Sequence, residues 1–538
     1  MVPLPGLPRR RRALTSGLGL AMAAAVALIP GTTSASASQA AHARLGAATA
    51  AHPGQAPRTD GQAPRTDGQA PRTDGPLLSY VVSVDGGRGT QKSVERAISR
   101  AGGQVVIAYD RIGVIVAHSA DPGFGAALRR VRGVHSAGAT RTAAIEPTAT
   151  TQAGSLRTLT AAEAAAIGAQ RADGQEPLEA DQWDLRAIRA DKAARVNPGS
   201  PRVTVGIIDT GVDDTHPDLA ANFSPKQSAS CVGGVPDTSA GAWRPWDPAV
   251  DYHGTHVAGE IAAARNGVGV AGVAPGVRIA AIKVSEPGTA LFYPESVVCA
   301  FVFAADHGIA VTNNSYYIDP WLYNCPNDPD QRAIVDAVQR AAAYSTRKGV
   351  LNVAAAGNSA DDLASHALTD TSSPDDSTAV TRTVDPHVCL DIPTQLPGVV
   401  TVSATGAQNL KSYYSSYGRN VIDVAAPGGD GFQIPDTPSG NGRILSTLPG
   451  GKYGYLQGTS MASPHVAAVA ALIKSRHPHA SPALLQALLK AEADNPGCPT
   501  GLYDPDGDGV QNATCTGPKP YNSFYGHGIV DALDAVVE

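Results

Sequence analysis

The chain has 538 residues, a formal charge of −6, 57 glycines, 41 prolines and only 5% aromatic residues. That length accommodates two or three domains, at least one with a sizeable core. The mildly acidic balance carries no basic stripe, which excludes nucleic acid from the expected partners.

Four arginines at positions 9–12 precede an apolar run over 13–29, and Ala35, Ser36 and Ala37 form a small-residue cleavage site. Thr15, Ser16, Gly17 and Gly19 interrupt the run, so 1–37 reads as a removed signal peptide rather than a spanning anchor. No later stretch is long and apolar enough to cross a membrane, and a secreted protein without a membrane anchor is expected. Residues 38–76 contain three copies of Gly-Gln-Ala-Pro-Arg-Thr-Asp. A polar, proline-containing heptad cannot bury a core, so this region reads as a disordered spacer.

Residues 77–145 form the first candidate domain. Segments 80–84, 105–108, 112–118 and 134–144 have strand character, with helical spacing over 90–101 and 125–131. The order βαββαβ predicts a small α+β, ferredoxin-like domain without chemistry of its own. The Ala-, Thr- and Gln-rich stretch 146–181 reads as a processed linker, with room for a short helix around 160–166.

From 182 to 538, apolar strands alternate with helical segments. Strands are expected at 203–208, 277–284, 309–312, 350–355, 399–404 and 421–425. Helices are expected at 253–264, 296–307, 331–348, 460–476, 482–491 and 529–537. Continuous apolar strands separated by helices predict an α/β fold, a doubly wound, mostly parallel sheet with helices on both faces. Sites in such sheets form at the carboxyl ends of strands.

Four motifs fall at such ends. Asp209 follows its strand in Asp209-Thr210-Gly211, and His253 opens a helix in His253-Gly254-Thr255-His256. Asn358 follows a strand in Ala355-Ala356-Gly357-Asn358. Ser460 opens a buried helix within Gly458-Thr459-Ser460-Met461-Ala462-Ser463-Pro464-His465-Val466. A serine hydroxyl becomes a nucleophile only with a base, a group orienting that base, and donors for the oxyanion. This set supplies each role once.

The combination resembles the subtilisin-like serine proteases over 182–538, in the order Asp, His, Ser. The resemblance implies that Ser460 attacks the scissile carbonyl, that His253 is general base and then acid, and that Asp209 orients the imidazole. Asn358 and the Ser460 N–H would hold the oxyanion. It also implies that 77–145 is an inhibitory propeptide domain, making the enzyme a self-processing secreted endopeptidase and a monomer, with proteins or peptides as substrates and no catalytic cofactor. The substrate pocket would be walled by Ser315, Tyr316 and Tyr317 on one side and by Ala355, Ala356 and Gly357 on the other. The two tyrosines depart from the family's small, glycine-containing wall and are expected to narrow or lid the pocket. Gln182, Asp218 and Asn266, with the carbonyls of Ala264, Val268 and Val270, resemble the family's calcium site, although a solvated Asn-Gly turn explains the same residues.

Two other readings were open from sequence. Gly458-Thr459-Ser460-Met461-Ala462 nearly fits the elbow of an α/β-hydrolase esterase, but that fold needs its acid and histidine after the serine. His465, His477, His479 and His527 stand in no matching context. A catalytically dead relative acting as a binding module would not need the intact constellation. The even set of six cysteines in an exported chain points to disulfides. From loop positions the expected pairs are Cys231–Cys299, Cys325–Cys389 and Cys498–Cys515.

Overall fold

The computed structural model describes residues 75–145 and 156–537. The expected signal peptide and nearly all of the repeat spacer lie outside these residues.

The first domain places strands Leu78–Val84, Gln104–Tyr109, Val114–Ser119 and Val134–Ala139 in one antiparallel sheet. Its order is Gln104–Tyr109, Val114–Ser119, Leu78–Val84, Val134–Ala139. This is the expected ferredoxin-like arrangement. Alternation along Leu78–Val84 divides the side chains between the two faces. Tyr80, Val82 and Val84 pack with Val94 and Ile98 of helix Arg88–Arg100 and with Phe124 and Leu128. Val81 and Val114 point the other way and join a cluster built on helices Pro294–Asp306 and Pro329–Arg347. Contact is close enough to require glycine at 138, where an added Cβ would stand 2.5 Å from Asp330 Cα.

The larger domain is built on a seven-stranded sheet. From one edge to the other its strands are Val424–Pro427, Val399–Thr405, Leu351–Ala355, Val311–Asn314, Thr204–Asp209, Arg278–Lys283 and Ala229–Ser230. Every neighbouring pair is parallel. Val205 and Ile207 face helices His253–Ala262 and Thr459–Arg476, whereas Ile208 faces Pro294–Asp306 and Pro329–Arg347. Both sheet faces are therefore covered, which is why the strands read as continuous apolar runs. Thr459–Arg476 is buried around its whole circumference up to Ile473, apart from Ser460, as expected of a helix apolar on all sides.

Two regions differ from the sequence expectation. The expected helix over 529–537 shrinks to Asp534–Val537. Ile529 bridges to Ala425 and Asp494, and Asp531 Oδ1 accepts the N–H groups of Leu533 and Asp534, so the helix starts only after that cap. The stretch expected to be a linker carries structure from Leu156 onward. Arg157–Thr158 adds a strand to the hairpin Ile444–Leu448 and Lys452–Leu456, and helix Ala161–Gly168 is capped by Thr160 and Glu163. Ile167 and Leu178 are buried against Leu445 and Tyr455. All three expected disulfides are present. No helix among the described residues is long and apolar enough to cross a membrane.

Candidate active site

Asp209 ends strand Thr204–Asp209 and is fully buried. His253 begins helix His253–Ala262, and its Nδ1 lies 2.9 Å from Asp209 Oδ1 and 3.0 Å from Oδ2. The neighbouring Gly254 makes this reach possible, because a Cβ there would come within 2.3 Å of the Gly211 carbonyl and 3.1 Å of Asp209 Cβ. Thr210 locks the junction: its N–H donates to Asp209 Oδ1, and its hydroxyl accepts from Gly254 N–H. Burial alone would lower the His253 pKa. The adjacent Asp209 charge and hydrogen bond outweigh it, so the imidazole is raised above its ordinary value.

Ser460 sits in the first turn of Thr459–Arg476 and lines a cleft of about 550 Å³ together with His253 and Asn358. Its hydroxyl donates to the Ser315 carbonyl at 3.3 Å, and rotation about χ1 is the freedom that can turn Oγ elsewhere in the cleft. The Asn358 side chain is oriented by its oxygen, which accepts from Thr459 N–H at 2.8 Å and from the Thr459 hydroxyl at 2.9 Å. That leaves the Asn358 NH₂ as a donor for a ligand. At the helix start, Met461 and Ala462 N–H groups go to the Gly458 carbonyl and Thr459 N–H goes to Asn358. The Ser460 N–H remains for an anion in the region favoured by the helix dipole. An aspartate-oriented imidazole, a serine hydroxyl and two N–H donors on residues of one cleft are the parts needed for acyl transfer.

Ser315, Tyr316, Tyr317, Ala355 and Gly357 all line the same cleft, while Ala356 is turned into the sheet, its N–H donating to Val402. Tyr316 does not stand free as a lid. It stacks on Phe292 with ring centroids 4.8 Å apart, and its hydroxyl donates to Asn314 Oδ1. Tyr317 is pinned through its hydroxyl to Asp375 at 2.7 Å.

A buried polar cluster behind the cleft has no counterpart in the sequence reading. His465 Nδ1 lies 2.7 Å from the Met461 carbonyl and 3.4 Å from Glu260, while Nε2 lies 3.1 Å from Asp184. His256 reaches Glu260 at 2.8 Å. These residues tie the helices bearing His253 and Ser460 to helix Trp183–Ala187. The available signal was Glu260, a carboxylate four residues after His256 on a buried helix.

The three residues expected at a calcium site fall together but are largely committed to the protein. The Gln182 amide pairs with both the N–H and the carbonyl of Ala271. Asn266 accepts from Val268 N–H and donates to the Pro217 carbonyl. Asp218 Oδ2 accepts from Val270 N–H and the Tyr453 hydroxyl, but Oδ1 is buried with no partner. Burial pushes the Asp218 carboxyl up to about 6. Of the three side chains, Asp218 alone offers a buried oxygen with no partner, while the Gln182 oxygen already accepts the Ala271 N–H.

The sheet, the strand-end site and the Asp, His, Ser order define the class as a serine endopeptidase. The Subtilase family model matches residues 200–528, and the chain belongs to that family. It is 32% identical over 334 residues to Subtilisin Savinase of Lederbergia lenta, covering 62% of this chain and 96% of that protein. It is 29% identical over 383 residues to fervidolysin of Fervidobacterium pennivorans, covering 68% of this chain and 45% of that protein. Among solved structures, the epidermin leader peptide processing serine protease of Staphylococcus aureus superposes with a TM-score of 0.59 at 24% identity, covering 86% of this chain and 98% of that one. That last likeness is one of fold.

Proposed function

We propose that this endopeptidase cleaves peptide bonds through an acyl-enzyme on Ser460, with His253 as general base and acid, Asp209 orienting it, and Asn358 with the Ser460 N–H holding the oxyanion. The observation that carries the reading is the two-oxygen grip of Asp209 on His253 Nδ1 beside a cleft shared with Ser460 and Asn358. That grip fixes the tautomer that leaves Nε2 to take the serine proton. We further read the protein as a secreted precursor in which 77–145 inhibits the enzyme until it is cut away. Its support is the docked sheet and Arg141, whose guanidinium reaches Glu295 at 2.6 Å and Glu286 at 3.1 Å and stacks on Tyr293. Structural calcium, if bound, would be held by Asp218.

A fluorophosphonate applied to the active protein should label Ser460, and Ser460→Ala should abolish both labelling and peptide hydrolysis. In subtilisin, a relative of this chain, loss of the serine costs about 10⁶ in turnover. Labelling at another residue, or full activity in the variant, overturns the assignment.

A further inference from the structure

Beside Ser460 the cleft has a floor as well as two walls. Ile318 N–H donates to the Ile392 carbonyl at 3.0 Å, and the Thr394 hydroxyl donates to the Ala355 carbonyl at 2.7 Å. Segment 391–394 therefore closes the gap between the wall Ser315–Tyr316–Tyr317 and the wall Ala355–Gly357. Asp391 stands on that floor and lines the cleft while only 3% exposed. Its Oδ1 has no hydrogen-bond partner, and Oδ2 lies 3.7 Å from where a Cβ at Gly357 would stand.

A buried carboxylate oxygen without a donor is costly, and the structure ordinarily supplies one. Here the lining holds Asp319 and Asp391 but no lysine or arginine. Asp319 is accounted for: it accepts the Phe292 N–H and is hydrogen-bonded to Asp375, which in turn takes the Tyr317 hydroxyl. Asp391 has no such arrangement. Burial first, and then the charge of Asp361, push its carboxyl well above the ordinary range. Its unpartnered oxygen therefore belongs to a side chain that lines the open cleft.

We infer that the pocket beside Ser460 takes a lysine or arginine side chain of the substrate, at the residue whose carbonyl is attacked, and that Asp391 pairs with its charge. The stem of such a side chain runs along Tyr317 and the Ala355–Gly357 wall, and its head donates to the orphaned Oδ1. This deepens the reading of Ser460 as the nucleophile and rests on it. Long basic side chains suit a pocket that is apolar on its walls and charged at its floor. A neutral side chain would form no ion pair with Asp391, so discrimination comes from the interaction that only a basic residue makes.

The test uses the active form obtained from the full chain, with peptide substrates differing only in the residue before the cut: Arg, Lys, Leu or Phe. Fluorophosphonate labelling is run in parallel. The inference expects kcat/KM for Arg or Lys to exceed that for Leu and Phe on the order of 10²-fold, and Asp391→Asn to collapse that ratio by at least about tenfold. Benzamidine, an aryl amidinium, should compete with substrate in the wild type, which keeps the question answerable even if the variant does not fold. An enzyme that labels at Ser460 yet prefers Leu or Phe, or keeps its Arg-to-Leu ratio in Asp391→Asn, overturns the pocket and leaves the protease reading standing. A chain that neither labels at Ser460 nor cleaves any of the four overturns both.

Discussion

Arg141 of the first domain and Glu295 of the larger one meet at 2.6 Å in a site where Glu295 is fully buried. Burial would raise the Glu295 carboxyl, but the Arg141 charge and hydrogen bond outweigh it and hold the carboxyl below its ordinary value. The pair is the buried member of a charged set that also joins Arg111 to Asp306, Arg129 to Asp330 and Asp85 to Arg340 across the same contact.

Removing Arg141 leaves Glu295 desolvated without its cation, whereas removing Glu295 still leaves Arg141 beside Glu286. Arg141→Gln is expected to weaken docking of residues 75–145 by about 3–5 kcal/mol, and the double variant with Glu295→Gln to recover part of that loss. Hydrogen exchange of strands Leu78–Val84 and Val134–Ala139, measured in the uncut Ser460→Ala chain, reads it out. Unchanged protection in Arg141→Gln would mean the remaining contacts, apolar and charged, suffice.

On the proposed mechanism, Asn358→Leu removes one oxyanion donor while keeping a side chain of similar size. Turnover should fall about 10²–10³-fold, the loss known for this change of role in subtilisin, with KM nearly constant. A raised KM at constant kcat would assign Asn358 to ground-state binding instead.

The His465 cluster predicts a stability that fades in alkali. Burial lowers the His465 pKa, but hydrogen bonds and charges of Asp184 and Glu260 raise it from 6.5 to about 10. A pKa raised on folding gives stability that is complete below about 6.5 and is lost as pH climbs through about 10. In the Ser460→Ala background, which prevents self-digestion, Tm should fall across that interval. His465→Gln should have a lower Tm at pH 6 and a flatter profile. Parallel profiles would show that His465 is neutral in the folded protein.

The open Oδ1 of Asp218 gives a test that separates a bare buried carboxyl from a cation ligand. Its carboxyl is raised from 3.8 to about 6 mainly by burial, so the ionised group opposes folding once the pH exceeds that interval. Without a cation, Asp218→Asn should raise Tm at pH 8, and EDTA should leave the wild type unchanged. If calcium is held there, EDTA instead lowers the wild-type Tm by removing a ligand of the folded state, and Asp218→Asn abolishes the effect. Melting curves with EDTA and with added calcium separate the two.

Much of this architecture was written locally. The strands could be read because a sheet covered on both faces demands continuous apolar runs. Asp209, His253, Asn358 and Ser460 stood out because each occupies a short stretch with glycines or small residues at a strand end or helix start. Gly254 shows why: only a residue without Cβ lets the His253 helix approach Gly211 and Asp209. The ferredoxin-like order was legible for the same reason, since period-two and helical spacing are properties of neighbouring residues.

Apart from the three disulfides, contacts between distant segments were not legible. Asp391 lies in a loop with no motif, and it becomes a pocket floor only because Ile318 and Ala355 are drawn to the residues beside it. His465 and Asp184 are far apart in sequence, and Arg141 names no partner until the sheet docks on its two helices. The strand at Arg157–Thr158 is equally dependent on context: two exposed residues gain a partner only because the Lys452–Leu456 edge lies alongside. Local spacing marked the candidate site residues and determined which segments form strands and helices. Tertiary structure decided which charges are buried, and therefore which are paired and which still lack a partner, because desolvation depends on everything packed around a group and not on its neighbours in the chain.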